Sequence, residues 1–302
     1  MNSAEWRVTV VVDNQAGDGL TAEHGFSCWI ESADLRVVFD TGQGPAFATN
    51  AARLGVALEQ ANAIVLSHGH YDHTGGVSAA LRKANRARVY IHPLGFEAKY
   101  WRTDGGAPRV ISMPEGVASD LLERNYELRC GTGARTIGPG AHLTGETPRR
   151  TPFEDPGQEF FLDAAGAEPD GLKDDQALYL DTPRGTVVVL GCAHSGAVNT
   201  LEYVSELTGG RQIHAVVGGM HLLQASAERV ERTAAALIRL GVGVVAPCHC
   251  TGARAASLLR ERLGERVVDC GAGARFEFNA DETRCAWGGA KARAHSPVDK
   301  GD

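Results

Sequence analysis

Hydrophobic positions fall into short blocks along the N-terminal third of the chain. The blocks "WRVTVVVDN", "FSCWIES" and "LRVVFDTG" are rich in β-branched and aromatic residues and are separated by Gly, Asp and Asn, which predicts three successive strands. "PAFATNAARLGV" has helical spacing, with Pro45 at its start and Gly55 near its end. "ANAIVLS" and "RVYIHP" predict two further strands, with the helical stretch "VSAALRKANR" between them.

Periodicity weakens between about residues 93 and 173, where Gly and Pro recur. This stretch is typical of an inserted, lid-like segment that faces a substrate. Regularity returns with the hairpin "QALYLDTPRGTVVVLGC", the helix "SGAVNTLEYVSELTG" and the strand "IHAVVGGMHL". An amphipathic helix "SAERVERTAAALIRLG", capped by Ser226, follows, and "VGVVAPCHCTG" and "RVVDCGAG" predict the last strands.

Each half of the chain supplies strands first and helices later. This order predicts an α/β fold in which two sheets pack together and helices cover both outer faces. The residues from Asp281 onward are polar and small, so a loosely ordered tail is expected over 281–302. The folded domain is therefore predicted to span residues 1–280.

Composition and charge narrow the class of partner. The chain has 302 residues, is 43% hydrophobic and carries a formal net charge of -7, with Lys and Arg scattered along it. Such a chain can bury a large core, but it has no basic patch for nucleic acid or an anionic membrane, which favours a small-molecule substrate.

"MNSAEWRVTVVVDN" has neither a basic start nor a long apolar run, so a cytoplasmic location is expected. The cysteines number seven and are spread out, which predicts free thiols rather than a disulfide framework.

The stretch "LSHGHYDHTGG", residues 66–76, crowds ligand-type side chains together directly after a predicted strand. In an extended turn His68 and His70 point to the same side, while Asp72 and His73 can face a second position beside the first. Several imidazoles must converge to hold an ion such as Zn²⁺. The loop therefore predicts the beginnings of two metal sites, which other parts of the chain must complete.

Further histidines stand where other predicted strands end. His194 follows "VVVLGC", His221 follows "AVVGGM" and His249 follows "VVAPC". Their repeated placement at strand ends makes His194 and His249 candidate ligands. His221, next to Gly218 and Gly219, is a candidate to face the cavity.

"FDTG" followed by "SHGHYDHTGG" resembles the metallo-β-lactamase superfamily, whose hallmark is His-x-His-x-Asp-His. "GCAHSGAVNT", "GGMHL" and "PCHCTG" resemble one branch of it, the hydrolase-like proteins related to dihydropterin-ribofuranosylaminobenzene phosphate synthase. The resemblance implies a four-layer αββα sandwich with an inserted segment.

The resemblance also implies a ligand set. His68 and His70 would bind the first metal, and Asp72 and His73 the second, which His249 would close. Asp40 would support the ligands from behind. The metals implied are two zinc ions, with manganese or iron as alternatives.

The chain departs from the superfamily pattern at two positions. The superfamily usually supplies a histidine before the hairpin and a bridging aspartate after it, whereas this chain has Asp174 and Asp175 at the first place and Cys192 at the second. Two solutions stay open: His194 reaches the first metal, or Asp175 and Cys192 are ligands themselves. We favour His194, and interpret Cys192, like Cys248 and Cys250, as a buried thiol.

Two zinc-type ions about 3.5–4 Å apart activate water near neutral pH, so the expected reaction is hydrolysis of a small ester, lactone or phosphate-containing substrate. Asp72 would orient the water and take its proton, and His221 would donate to the oxyanion or the leaving group. Arg109, Arg149 and Arg150, in the insertion, are candidate partners for a phosphate or carboxylate.

Other functions remain open at this point. A synthase that joins a dihydropterin to ribofuranosylaminobenzene 5'-phosphate would use the same metals as Lewis acids. A non-catalytic sensor of small molecules would bind a ligand without turning it over.

Overall fold

The computed structural model describes residues 5–103, 106–123, 126–155, 159–287 and 290–294. The strands are β1 (Trp6–Val12), β2 (Ser27–Glu31), β3 (Arg36–Phe39), β4 (Ala63–Val65), β5 (Arg88–Ile91), β6 (Tyr100–Trp101), β7 (Arg109–Val110), β8 (Leu128–Cys130), β9 (Arg135–Gly138), β10 (Ala141–Leu143), β11 (Phe160–Phe161), β12 (Leu178–Thr182), β13 (Gly185–Leu190), β14 (Ile213–Gly218), β15 (Val244–Pro247), β16 (Arg275–Phe278), β17 (Thr283–Trp287) and β18 (Ala290–Ala294). The helices are α1 (Pro45–Arg53), α2 (Tyr71–Thr74), α3 (Val77–Lys83), α4 (Glu115–Glu123), α5 (Ala197–Leu207), α6 (Ala227–Arg239) and α7 (Ala253–Leu263).

These strands form three sheets within the described ranges. The larger sheet has the order β18-β17-β16-β1-β2-β3-β4-β5-β8, and the smaller sheet has the order β15-β14-β13-β12-β10-β9. The third sheet, β11-β6-β7, is called the lid sheet below.

The larger and smaller sheets pack face to face around one apolar core. Val8 from the larger sheet and Leu180 and Val217 from the smaller sheet belong to it. Val216, the neighbour of Val217 in β14, points the other way and packs with the helices α5, α6 and α7. Because both faces of such a strand are buried, its sequence is a continuous apolar run rather than an alternating one.

Helices cover both outer faces. Phe47 of α1, Leu81 of α3 and Leu121 of α4 pack on the outer face of the larger sheet, and each is nearly inaccessible to solvent. Full burial of a side chain of this size contributes about 1.5–3 kcal/mol. The layers therefore run helix, sheet, sheet, helix, and the predicted αββα sandwich is confirmed.

The two sheets bring the ends of parallel strands together. β3, β4 and β5 are parallel in the larger sheet, and β13, β14 and β15 are parallel in the smaller one. The carboxyl ends of parallel strands lie at one edge of a sheet, so the loops after β4, β13, β14 and β15 meet at one end of the sandwich. The predicted histidines stand in these four loops.

The expected insertion over 93–173 is too broad. β8 joins the larger sheet, and β9 and β10 join the smaller one, so this middle stretch belongs to the sandwich itself. In the described part of this stretch, the lid sheet contributes Trp101, Arg109 and Phe160 to the wall of the site. The strands of this region have two to four residues each, which is too short to produce a visible sequence period.

The C-terminal expectations also need correction. β17 and β18 extend the edge of the larger sheet, although a loosely ordered tail was expected from Asp281 onward; residues 295–302 lie outside the described part. Cys285 packs into the core between the sheets, and Trp287 Nε1 donates to the Ala272 carbonyl at 3.1 Å. "RVVDCGAG" makes two isolated bridges, from Val267 to Val245 and from Ala272 to Ala16, instead of a strand.

The predicted cap of α6 is present, since Ser226 Oγ accepts a hydrogen bond from the Arg229 N–H at 3.2 Å. In the part of the chain that the structure describes, every helix is too short or too polar to cross a bilayer.

Candidate metal and active site

The loop after β4 holds its histidines in close contact. His68 Nε2 lies 3.0 Å from His70 Nδ1, and the two rings are 4.5 Å apart between centroids. His68, His70 and His73 are at most 5% exposed. Between the first two, a Cβ on Gly69 would lie 2.2 Å from the Gly95 carbonyl oxygen. Glycine at this position therefore lets the loop pack closely with both imidazoles turned inward.

Asp40 supports this loop from behind. Its carboxylate accepts hydrogen bonds from the backbone N–H and the hydroxyl of Ser67, both at 2.7 Å, and its Oδ2 lies 2.7 Å from His73 Nδ1. A hydrogen bond to Nδ1 fixes the ring and turns Nε2 towards the site. Burial lowers the pKa of His73, but the nearby carboxylates of Asp72 and Asp40 outweigh it and raise the pKa to about 9. The same negative charge favours a metal cation at His73 Nε2.

One group of ligand atoms converges around His73 and His249. Their Nε2 atoms are 3.2 Å apart, and Asp72 Oδ2 lies 3.6 Å from the first and 3.5 Å from the second. His249 is held by Asn14, whose Oδ1 lies 3.0 Å from its Nδ1, and by Asp13, whose Oδ1 accepts the His249 backbone N–H at 2.8 Å.

A second group lies beside the first. The ligand atoms of His68, Cys192 and His194 all fall within 4.8 Å of one another. Among the described residues, neither ring nitrogen of His194 has a hydrogen-bond partner, and His70 Nε2 has none either. A buried polar atom without a partner costs about 1–3 kcal/mol, which a bound metal would offset.

The electrostatics of these imidazoles suit metal binding. Burial, followed by repulsion from neighbouring histidines, lowers the pKa of His68 and His194 well below the usual value. Burial has the same effect on His70 and His249. A neutral imidazole is the form that binds metal. The donor set and its unpartnered nitrogens therefore fit zinc-type ions.

The two aspartates before the hairpin are used differently. Asp174 accepts the Gly69 N–H at 2.8 Å and pairs with Lys99 at 3.1 Å, while Asp175 accepts the Ser195 N–H at 2.9 Å. Among the described side chains, neither carboxylate belongs to a group that could hold an ion. Both aspartates instead fix the backbone of loops that carry ligands.

Backbone strain is concentrated at this end of the molecule. Left-handed backbone angles at non-glycine residues cost on the order of 1–3 kcal/mol each and cluster at functional sites. Of the five described non-glycine residues with such angles, four stand in loops of the site, with φ of 57° at Asp40, 55° at Ala193, 49° at His221 and 50° at His249; the fifth is Leu172, with φ of 48°.

His221 lies beside the ligands rather than among them. Its ring centroid is 4.4 Å from that of His194 and 5.9 Å from that of Phe160 of the lid sheet. Its backbone N–H donates to Cys250 Sγ at 3.3 Å, and the residue lines the cavity described next.

A cavity of about 920 Å³ opens over these residues. Its wall includes the aromatic rings of Tyr71, Trp101, Phe153 and Phe160, and the guanidinium groups of Arg109, Arg229 and Arg232. Of the arginines predicted from sequence, only Arg109 is on this wall within the described residues. Arg149 donates to the His194 carbonyl at 2.8 Å, and Arg150 pairs with Glu206.

The sequence did not predict two residues near the site, His24 and Lys99. His24 Nε2 lies 3.3 Å from Asp72 Oδ2 at the cavity mouth, and its half-exposed ring is 5.5 Å from that of His249. Lys99 is 1% exposed and lies between Asp170 at 2.9 Å and Asp174 at 3.1 Å, which joins the start of the lid sheet to the histidine loop. A lone histidine and a lone lysine in polar surroundings gave no signal in the sequence.

The fold and the site together define a class of protein. The fold is an αββα sandwich, and histidine, aspartate and cysteine side chains that could bind metal gather at the carboxyl ends of its parallel strands. A sequence profile described as the metallo-beta-lactamase superfamily matches residues 20–249, and the chain belongs to this superfamily.

Relatives and solved structures agree with this family. The chain is 28% identical over 272 residues to 7,8-dihydropterin-6-methyl-4-(beta-D-ribofuranosyl)-aminobenzene-5'-phosphate synthase of Methanocaldococcus jannaschii, covering 85% of this chain and 90% of that one. It is 30% identical over 255 residues to an uncharacterized protein of the same organism, covering 84% and 94%. The solved structure of Tm1679, described as a metal-dependent hydrolase of the beta-lactamase superfamily, superposes with a TM-score of 0.76 at 32% identity, covering 91% and 99%.

Proposed function

We propose that this protein is a metal-dependent hydrolase that binds two zinc-type ions and acts on a small ester, lactone or phosphate-containing substrate. The observation that carries the proposal is the convergence of buried histidine side chains, among which both ring nitrogens of His194 and Nε2 of His70 have no protein partner in the described structure. The description of Tm1679 as a metal-dependent hydrolase supports it. We place the activity in the cytoplasm, which the free state of all the described cysteines supports.

His68, His70 and His194 would hold the first ion, and Asp72, His73 and His249 the second. Zinc is the first choice because imidazole nitrogen suits it, with iron or manganese as alternatives. When bound, such ions supply Lewis acidity, which lowers the pKa of water and polarises a substrate oxygen.

The chain's own residues divide the remaining work. Asp72 Oδ2 faces His73 and His249 and accepts the proton of the attacking water. His24, 3.3 Å from that oxygen and half exposed, passes the proton to solvent. His221, on the cavity wall, donates a proton to the leaving group.

The cavity supports a substrate that combines an apolar part with an anionic group. Phe160 stacks on His70 with the ring centroids 5.8 Å apart, and it limits the access of water to the ligands. Arg109 lies over the Trp101 ring at 5.7 Å, and Arg229 has a buried Nε without a partner among the described residues. A phosphate or carboxylate suits such guanidinium groups.

A synthase is the second candidate, because the relative from Methanocaldococcus jannaschii that carries a synthase name aligns over 90% of its own length. Joining a dihydropterin to ribofuranosylaminobenzene 5'-phosphate would use the same ligands, with the cavity holding both reactants.

The test combines metal analysis with an activity panel. Mass spectrometry of the purified protein should find about two ions per chain, and His68→Ala should lose metal while His142→Ala, on β10 and outside the site, keeps it. Esters, lactones and phosphodiesters, and then the pterin diphosphate with its aminobenzene partner, are tested for turnover. Less than one ion per chain would contradict the proposal. Turnover of the pterin pair alone would favour the synthase, and binding without turnover would favour a sensor.

A further inference from the structure

Cys192 occupies the position between the two groups of ligand atoms. It follows the end of β13 and is 4% exposed. Its Sγ lies 3.2 Å from His73 Nε2. It belongs to two of the three groups of ligand atoms found among the described residues, one with His68 and His194 and the other with His73 and His249, whereas the third consists of His24, Asp72 and His249.

The surroundings of Cys192 are not those of a buried apolar thiol. Cys28, Cys248, Cys270 and Cys285 all belong to the apolar core between the sheets. Cys192, by contrast, is absent from each apolar cluster formed by the described residues. Its Sγ lies 3.2 Å from the ring nitrogen Nε2 of His73, and Cys250 Sγ lies 3.5 Å from its carbonyl oxygen. Cys192 is buried, as interpreted from the sequence, but it lies among ligand atoms rather than in the apolar core.

The backbone around Cys192 is built for close approach. A Cβ on Gly191 would lie 2.2 Å from Ser67 Oγ, and a Cβ on Gly219 would lie 2.5 Å from the Gly191 carbonyl oxygen. These glycines let the end of β13 approach the histidine loop and place the Cys192 side chain between the two ligand groups. The unpartnered ring nitrogens of His194, 3% exposed, belong to the same cluster.

We propose that the Cys192 thiolate is a ligand shared by both metal ions, and that it makes the site prefer zinc or ferrous iron to manganese. The proposal rests on the two-metal site of the proposed function. On binding, the Cys192 S–H bond breaks, bonds form from sulfur to the ions, and the proton leaves to solvent. Thiolate sulfur favours the softer ions, whereas manganese prefers oxygen ligands.

Cobalt is the probe, because a thiolate bound to Co²⁺ gives a sulfur-to-metal charge-transfer band in the near ultraviolet. Apo protein is loaded with Co²⁺ as wild type, Cys192→Ser, Cys192→Asp and Cys250→Ser. Cys250 is the matched control, since its Sγ lies 3.5 Å from the Cys192 carbonyl oxygen but belongs to neither ligand group of the described residues.

The wild type and Cys250→Ser should bind about two ions per chain and show the band. Cys192→Ser should lose the band and bind metal more than about 100-fold more weakly, the upper end of what losing an outer-sphere partner costs. Cys192→Asp should lose the band but recover metal binding, because a carboxylate can also bridge. Manganese should compete better for Cys192→Asp than for the wild type.

Three results would overturn the inference. They are a wild type that binds two cobalt ions without the band, a Cys192→Ser protein that keeps the band and both ions, and a band that disappears in Cys250→Ser but persists in Cys192→Ser. The wild-type spectrum does not depend on the folding of any variant. A failure of the proposed function is distinguishable, because the wild type would then bind less than one ion per chain or would turn over no ester, lactone or phosphodiester, and the latter result leaves the cobalt spectrum unchanged.

Discussion

The buried lysine beneath the lid sheet gives the most quantitative prediction. Lys99 Nζ pairs with Asp170 at 2.9 Å and with Asp174 at 3.1 Å, and all three side chains are at most 7% exposed. Asp174 in turn accepts the N–H of Gly69, between His68 and His70. In Lys99→Met the two carboxylates would stay buried without their cation.

The expected loss is large because the remaining charges cannot reach water. Removing one partner of a buried ion pair destabilises a protein by about 3–5 kcal/mol. Burial already raises the pKa of Asp174, and the charge of Lys99 opposes this rise. Without Lys99 the Asp174 carboxyl should take up a proton at a higher pH, so the loss should be greatest at neutral pH and smaller in acid.

Urea unfolding of the apo protein at neutral pH measures the effect. Lys99→Met should lower the free energy of unfolding by about 3–5 kcal/mol, whereas Lys83→Met, an exposed position in α3, should change it by less than about 0.5 kcal/mol. The double variant Lys99→Met with Asp174→Asn should recover at least about 1 kcal/mol, since it removes a stranded charge. A loss in Lys99→Met no greater than that in Lys83→Met would refute the reasoning.

Three further predictions concern single residues. His221→Ala should lower turnover by about 10²–10⁴-fold without removing metal, because the ring lies beside the ligands; loss of metal would instead make His221 a ligand. Burial and then the charge of Arg184 lower the pKa of His214 from 6.5 to about 4, so protons favour the unfolded chain. Between pH 7 and pH 5 this histidine should cost about 2 kcal/mol of stability in urea unfolding, and His214→Gln should remove that part of the pH dependence; an unchanged slope would contradict it. Gly69→Ala should weaken metal binding measured by titration, because its Cβ would lie 2.2 Å from the Gly95 carbonyl oxygen, and unchanged affinity would show that the loop tolerates the shift.

The sequence was sufficient for the parts of the fold that depend on local pattern. Apolar runs predict the central strands, and Ser226 before an amphipathic stretch predicts the cap of α6. The histidines that follow the apolar runs predict the gathering of His68, His194 and His249. Strand ends are informative because parallel strands place their carboxyl termini at the same edge.

The rest depends on partners that are distant in the chain. Lys99 is buried because Asp170 and Asp174, more than 70 residues further on, enclose its amino group. β17 joins the larger sheet because Cys285 packs into the core between the sheets and Trp287 donates to the Ala272 carbonyl, although the segment itself is polar and short. No hydrophobic period and no motif in the sequence predicts these long-range contacts.

The proposed ligands come from both sheets, and this affects the stability of the whole molecule. His68 and His73 come from the larger sheet, whereas His194 and His249 come from the smaller one. In the proposed two-ion site, each ion would be bound by side chains from both sheets and would therefore link the two halves of the sandwich. A free ion at about 100 times its dissociation constant adds about 2.7 kcal/mol to the stability of a fold that alone can bind it. A cell short of that ion would thus hold a protein that is both idle and easier to unfold, so that metal supply would govern its lifetime as well as its activity.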